Sequence, residues 1–390
     1  MQDPQFQLKP TVVYTTAEWT SLNIVSISDI HLGCPANPAR MMTAALDKML
    51  TKELLEKTDI LFIAGDVFDK GLAFNHDDIP YIVRWIGKLL RRCANANVVV
   101  RVLEGTPSHD RMQSRIFEAL NASEEYTNQC KLKYFSEIDI EYMEEFGIHV
   151  LYIPDEKNTS DDITLEQVRA MMTARAIDKV DFAVMHGFFE FQVPAGQHRR
   201  FHDSNAYLDL VRYTIHIGHD HTHQQQGRIF VQGSPDRQRH GMEDPKGMVQ
   251  VIVNRDGNFK AKFIVNKEAM VFKTIEVSDD IEAADALICS VADSLVDESH
   301  LRLAGYRGNA AIAALDIYNK RYPFIKFTHK YLDDDEKKTN TDISDDDEEV
   351  DNTPFTIDSA NIEEIITSRV GELNNEREQA YLKELISSVK

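Results

Sequence analysis

The chain has 390 residues, 43 % of them hydrophobic, and 43 basic against 64 acidic side chains give a formal charge of −21. That length allows a full-sized domain plus a smaller one, and the balance excludes a broadly basic surface for polyanions. Eleven acidic residues against two lysines fall between Asp333 and Asp351, however, so much of the charge belongs to one tail-side segment. No apolar run reaches the length of a membrane span, and Met1-Gln-Asp-Pro-Gln does not open a signal peptide, so a cytoplasmic protein without a membrane segment is expected. Cys34, Cys93, Cys130 and Cys289 are scattered with no Cys-x-x-Cys, which suggests neither a disulfide framework nor a zinc-thiolate site.

In chain order, residues 1–20 carry little pattern and read as an arm or edge strand. Residues 22–28 form a β-prone run that ends in Asp29-Ile30-His31. Asn37-Pro38 reads as a helix cap with proline in the first turn, opening a helix that buries Met42, Leu46, Met49, Leu50 and Leu54. A second strand over 59–64 ends in Gly65-Asp66, and a helix follows over 79–94. The strand at 98–103 runs into Glu104-Gly105-Thr106-Pro107-Ser108-His109-Asp110. Further on, 148–153 is a strand, Thr164-Leu-Glu-Gln167 reads as a capping box opening a helix to about 177, and 180–185 is a strand ending in His186-Gly187. Residues 213–217 lead into Gly218-His219-Asp220-His221, and strands follow at 228–232, 248–253 and 259–265.

After Lys267 a strand (271–277), two helices (281–295, 310–318) and a strand (323–328) predict a small α/β cap. The acidic stretch 332–354 has too few apolar residues to bury and is expected to be a disordered linker. Helical spacing returns in Ile362, Ile365, Ile366 and Val370, then Tyr381, Leu385, Ile386 and Val389.

Each Asp and His motif sits just after the carboxyl end of a predicted strand, where open α/β sheets place their chemistry. Two divalent ions about 3.5–4 Å apart can activate water and stabilise both oxygens at phosphorus, and they need one carboxylate able to bridge them. Asp66 is the candidate bridge. Asp29, His31 and one histidine of the 219/221 pair are candidates for the first ion; His186 and the other histidine are candidates for the second. Mixed Asp oxygen and His nitrogen suit Mn, Fe or Zn better than an all-oxygen Mg site.

Taken together, Asp29-x-His31, Gly65-Asp66-x-x-Asp69, Ser108-His109-Asp110, His186-Gly187 and Gly218-His219-x-His221 resemble the calcineurin-like metallophosphoesterase superfamily. The resemblance implies a four-layer α/β sandwich for residues 1–267, with the cap at 268–331 and the helical tail at 355–390. It implies that Asp29, His31, Asp66 and His221 hold one ion and that Asp66, His186 and His219 hold the other. The family's metal-binding asparagine falls at Ser108, and His109 is the catalytic acid or transition-state stabiliser. Gly105 to His109 is two residues longer than the family's pattern at this point.

Gly233-Ser234-Pro235-x-Arg237, with Lys246-Gly247, is similar to a block of the SbcD-type nucleases, the nuclease subunit of the double-strand-break repair complex, bacteriophage members included. This implies two Mn ions, with Mg as a substitute, and DNA contacts through Arg237 and Lys246. It also implies a homodimer and an SbcC-type SMC-like ATPase docked on the tail. The expected function is a Mn-dependent exo- or endonuclease in DNA end processing, recombination and repair. The alternatives are a phosphatase or phosphodiesterase of the same superfamily, or a non-catalytic subunit that binds DNA ends or the ATPase.

Overall fold

Short runs of β-branched and other apolar residues fold as central strands because both of their faces are covered: Ile60–Ala64 and Val99–Leu103 are buried at every position. The computed structural model describes residues 19–122, 129–193 and 200–332. The N-terminal arm, the acidic linker beyond 332 and the helical tail expected from the sequence lie outside the described residues.

The first half runs β1 (Ser21–Ile27), α1 (Ala39–Met49), α2 (Lys52–Leu55), β2 (Ile60–Ala64), α3 (Ile79–Asn95), β3 (Val99–Leu103), α4 (Ile116–Asn121) and β4 (Lys131–Phe135). The second runs β5 (Asp139–Met143), β6 (Ile148–Ile153), α5 (Asp161–Ala174), β7 (Val180–His186), α6 (Ser204–Leu210), β8 (Val211–Gly218), β9 (Gln224–Gln226) and β10 (Ile229–Val231). Then β11 (Gly247–Asn254) and β12 (Phe259–Val265) return to the first sheet, whose order is β12-β11-β1-β2-β3-β4. The second sheet has the order β5-β6-β7-β8-β10-β9. Each sheet has one parallel run of strands, β1-β2-β3-β4 in one and β6-β7-β8-β10 in the other.

The two sheets pack face to face. Leu22, Ile24, Ile60 and Phe62 from the first meet Val150, Tyr152, Phe182 and Phe230 from the second in one buried cluster. The outer face of the first sheet is covered by Met42 and Leu46 of α1 with Ile82, Trp85, Ile86 and Leu89 of α3, and that of the second by Leu165, Val168 and Met172 of α5. The result is an α/β sandwich with helices outside and two sheets inside. Each large side chain fully withdrawn from water contributes on the order of 1.5–3 kcal/mol before ordering costs. A third sheet, β13 (Phe272–Glu276), β14 (His300–Gly305) and β15 (Lys326–Tyr331), is parallel throughout and packs on α7 (Ile281–Ala292), α8 (Ala310–Ala313) and α9 (Leu315–Arg321). Among the described residues no helix is long and apolar enough to cross a membrane.

Two helix starts differ from expectation. Asn37 does not cap α1; its Nδ2 donates to the Arg237 carbonyl (3.1 Å), because the tertiary fold brings that loop alongside. The α5 helix begins one turn before the expected capping box: Ser160 accepts from Ile163 N, and Thr164 lies inside the helix with its hydroxyl donating to the Ser160 carbonyl.

Candidate metal centre

The loops leaving the parallel strands are stitched together before any side chain is considered. Asp29 N donates to the Gly65 carbonyl, His31 N to that of Asp66 and Leu32 N to that of Val67, at 2.8–3.0 Å. The loops after β1 and β2 therefore run side by side. Asp110 ties in the third loop: its carboxylate accepts from Phe68 N (2.9 Å) and Gly105 N (2.8 Å). Gly105 is required by proximity, since a Cβ there would stand 2.1 Å from both the backbone N and Oδ1 of Asp66. Four of the chemistry-bearing residues hold left-handed backbone: Asp29 (φ 53°), His31 (51°), Asp66 (50°) and His219 (102°). Such conformations cost on the order of 1–3 kcal/mol each and persist where the surroundings enforce them, typically at functional sites.

Side chains from both sheets converge on Asp66. Its Oδ2 lies 3.1 Å from His186 Nε2 and 3.8 Å from His31 Nε2. His186 crosses from β7 and donates through Nδ1 to the Ala64 carbonyl (2.7 Å), which orients the ring and turns Nε2 to the carboxylate. His221 Nε2 stands 3.8 Å from Asp29 Oδ1, and His219 N donates to both Asp29 oxygens (2.9 and 3.1 Å). Asp69 Oδ1 is 3.5 Å from His31 Nδ1, and the Asp69 carbonyl accepts from His109 Nδ1 (2.5 Å). The His109 and His31 rings meet edge-on at 4.8 Å.

The charges show what the site demands. Burial works against the charge of Asp66, yet His186, then His31 and His109, hold its carboxyl well below the usual range. His186 is pushed up to about 10 against its own burial by the carboxylate of Asp66, with Asp29 and Asp155 adding to it. His221 is held well below its ordinary value, first by burial and then by the charge of His31. Carboxylates that force a proton onto a buried imidazole call for a cation at that point. Nε2 of His31 is buried without a hydrogen bond, its Nδ1 facing Asp69 Oδ1 at 3.5 Å, and Nε2 of His186 has only the Asp66 carboxylate before it, the condition of imidazoles placed to bind metal. Three groups here could hold a metal ion: Asp29, His31 and His221; Asp66, His186 and His219; and His31, Asp69 and His109.

Asp29, His31, Asp66, His186, His219, His221 and His109 are thus brought together. Three other residues singled out from the sequence are not. Ser108 is exposed. The residue beside Asp66 is Thr106, whose backbone N donates to Asp66 Oδ1 (2.6 Å) and whose hydroxyl meets Oδ2 (3.2 Å). The residue directly after Gly105, and not the exposed Ser108, is therefore the one that this loop turns toward Asp66. Arg237 spends its guanidinium on the Met270 (3.1 Å) and Asp244 (3.4 Å) carbonyls. Lys246, buried to 1 % exposure, donates to the His221 carbonyl (2.8 Å) and pairs with Asp244. Lys246 thus supports the loop of His221, while Arg237 ties the 237–246 segment to Met270. Asp155, at the end of β6, was missed, although its position directly after a strand is the signal that marked the others.

No family model and no curated protein matches the chain. Among solved structures, TT1561 of Thermus thermophilus is similar over 63 % of this chain and 100 % of its own, at 12 % identity and a TM-score of 0.35. GAP50, the anchor in the inner membrane complex of Plasmodium, is similar over 64 % and 86 %, at 13 % identity and a TM-score of 0.38. At such low scores neither likeness carries an argument about this chain. What the fold and the side chains define by themselves is an α/β sandwich with a buried Asp and His centre able to hold metal.

Proposed function

We propose that this chain is a phosphoester hydrolase of the calcineurin-like metallophosphoesterase type, and within that type a Mn-dependent DNA nuclease of the SbcD kind. The observation that carries the hydrolase reading is the place of Asp66 Oδ2, 3.1 Å from His186 Nε2 and 3.8 Å from His31 Nε2. A carboxylate shared between two cations needs such a position. Asp29, His31, Asp66 and His221 would hold one ion, and Asp66, His186 and His219 the other. Such ions, when bound, supply Lewis-acid activation at phosphorus.

The chain's own groups do the rest. His109, held at Nδ1 by the Asp69 carbonyl, keeps Nε2 free to carry a proton to the departing oxygen. Asp69 keeps the His31 ring in place from the opposite side. The DNA reading rests on the block from Gly233 to Gly247. In this reading the block acts through the loop of His221, since Ser234 N (3.1 Å) and Lys246 Nζ (2.8 Å) both donate to the His221 carbonyl.

The test offers the purified protein, with Mn, linear DNA and a chromogenic phosphomonoester. Release of nucleotides from DNA with little monoester hydrolysis is expected. The reverse preference would make the chain a phosphatase, and fewer than two bound ions with neither activity would make it a non-catalytic subunit. Docking of an SbcC-type ATPase on residues 355–390, and a homodimer, belong to the same proposal. A chain truncated after Asp351 should keep DNA cleavage and lose the ATPase on co-purification; full retention of the ATPase would remove the tail from docking.

A further inference from the structure

Thr106 and Asp155 close a ring of polar atoms on one side of Asp66. Thr106 Oγ1 is 3.2 Å from Asp66 Oδ2, 3.2 Å from His219 Nδ1 and 3.4 Å from Asp155 Oδ2. Asp155 Oδ2 is itself 3.4 Å from His219 Nδ1, and His186 Nε2 closes on Asp66 Oδ2 at 3.1 Å. Asp155 is buried to 9 % exposure, and its other oxygen is occupied by Glu156 N (2.8 Å), so Oδ2 is the atom turned to the ring.

Hydrogen bonding accounts for only part of this arrangement. The single hydroxyl proton of Thr106 can satisfy one of the two carboxylates, and the other keeps only a histidine nitrogen, His186 Nε2 at 3.1 Å for Asp66 or His219 Nδ1 at 3.4 Å for Asp155. Metal ligation accounts for the convergence of all five atoms. Neighbouring ligands, each about 2.1 Å from one octahedral divalent ion, stand about 3 Å apart. The separations in the ring, 3.1–3.4 Å, are close to that value.

We propose that Asp155 Oδ2 and Thr106 Oγ1 are ligands of the ion held by Asp66, His186 and His219, in place of the single amide that the family resemblance puts there. The inference rests on the two-ion reading above. A carboxylate in place of a neutral amide adds a negative charge and a hard oxygen, which tightens the hold on Mn or Mg. It also adds β3 and β6 to β1, β2, β7 and β8, so that six strand ends deliver ligands.

The test counts Mn bound to the full chain by electron paramagnetic resonance during titration, so that it does not depend on turnover. Wild type is expected to bind two ions. Asp155→Ala should keep one ion and weaken the other by more than about 100-fold, beyond the cost of losing a group that only orients a ligand. Asp155→Asn keeps the shape while removing the charge, and should also weaken one ion; its melting temperature in chelator should match wild type, which separates metal loss from misfolding. Thr106→Val should weaken the same ion. Two ions in Asp155→Ala with a smaller loss, or unchanged affinity in Asp155→Asn, overturns the assignment and leaves the two-ion reading standing. Wild type binding fewer than two ions overturns both.

Discussion

His186 on β7 of the second sheet donates through Nδ1 to the carbonyl of Ala64, the last residue of β2 in the first sheet, at 2.7 Å. One hydrogen bond thus joins the two sheets and aims Nε2 at Asp66, the next loop's carboxylate. The centre exists only where the sheets are correctly packed.

Asp66 is the residue whose loss should cost most. Without a carboxylate between them two cations repel, so Asp66→Ala should bind neither ion and lose nearly all hydrolysis. Metal counting by atomic absorption checks this, and wild-type stoichiometry in the variant would exclude the bridge. Asp69→Asn, which touches His31 and not Asp66, should keep the ions and lose less activity.

His109 makes no such demand on the metal. His109→Ala should lower turnover by about 10² to 10⁴, the usual size of a general acid's contribution, with both ions retained. Loss of an ion would turn His109 into a ligand, through the group it forms with His31 and Asp69. Unchanged turnover would remove it from the chemistry.

Acid stability is set in part by His216, which is buried between the sheets with Ser26 Oγ at 2.9 Å and Thr214 Oγ1 at 3.0 Å. Burial pushes its imidazole down from 6.5 to about 3. Between those values the unfolded chain takes up a proton that the folded chain refuses, so this contribution is full above 6.5 and is lost as pH falls through the window. Wild type should lose about 2 kcal/mol more than His216→Gln between pH 7 and pH 5 in denaturant unfolding. Equal losses in the two proteins would mean that His216 is not held neutral.

A buried ion pair supplies a second tie between the sheets. Arg101 of β3 meets Glu141 of β5 through Nε (2.7 Å) and Nη2 (2.9 Å). Tyr152 Oη (3.1 Å) and Lys133 Nζ (2.5 Å) also donate to Glu141. Arg101→Met leaves a buried carboxylate with weaker partners and should cost up to about 3–5 kcal/mol. Arg101→Met combined with Glu141→Leu should cost less than the single change, because no charge is left behind. A double variant less stable than Arg101→Met in urea unfolding would refute this.

The sequence alone determined the central strands of the two large sheets, the long helices and the seven converging Asp and His residues. The reason is local: strands buried on both faces read as unbroken apolar runs, and each ligand motif directly follows such a run. The edge strands β4, β5 and β9 and the middle strand of the small sheet, β14, carry no such signal, because charged or glutamine side chains interrupt the apolar run in each. Only the tertiary structure placed Thr106, and not Ser108, beside Asp66, because the sequence of a loop does not say which of its residues turns inward. Only the pairing order of the second sheet brought Asp155 to His219, and only the fold carried Arg237 and Lys246 to backbone carbonyls, that of His221 in the case of Lys246. Contacts between residues distant in sequence depend on how strands pair and sheets stack, and no local pattern of residue types encodes that.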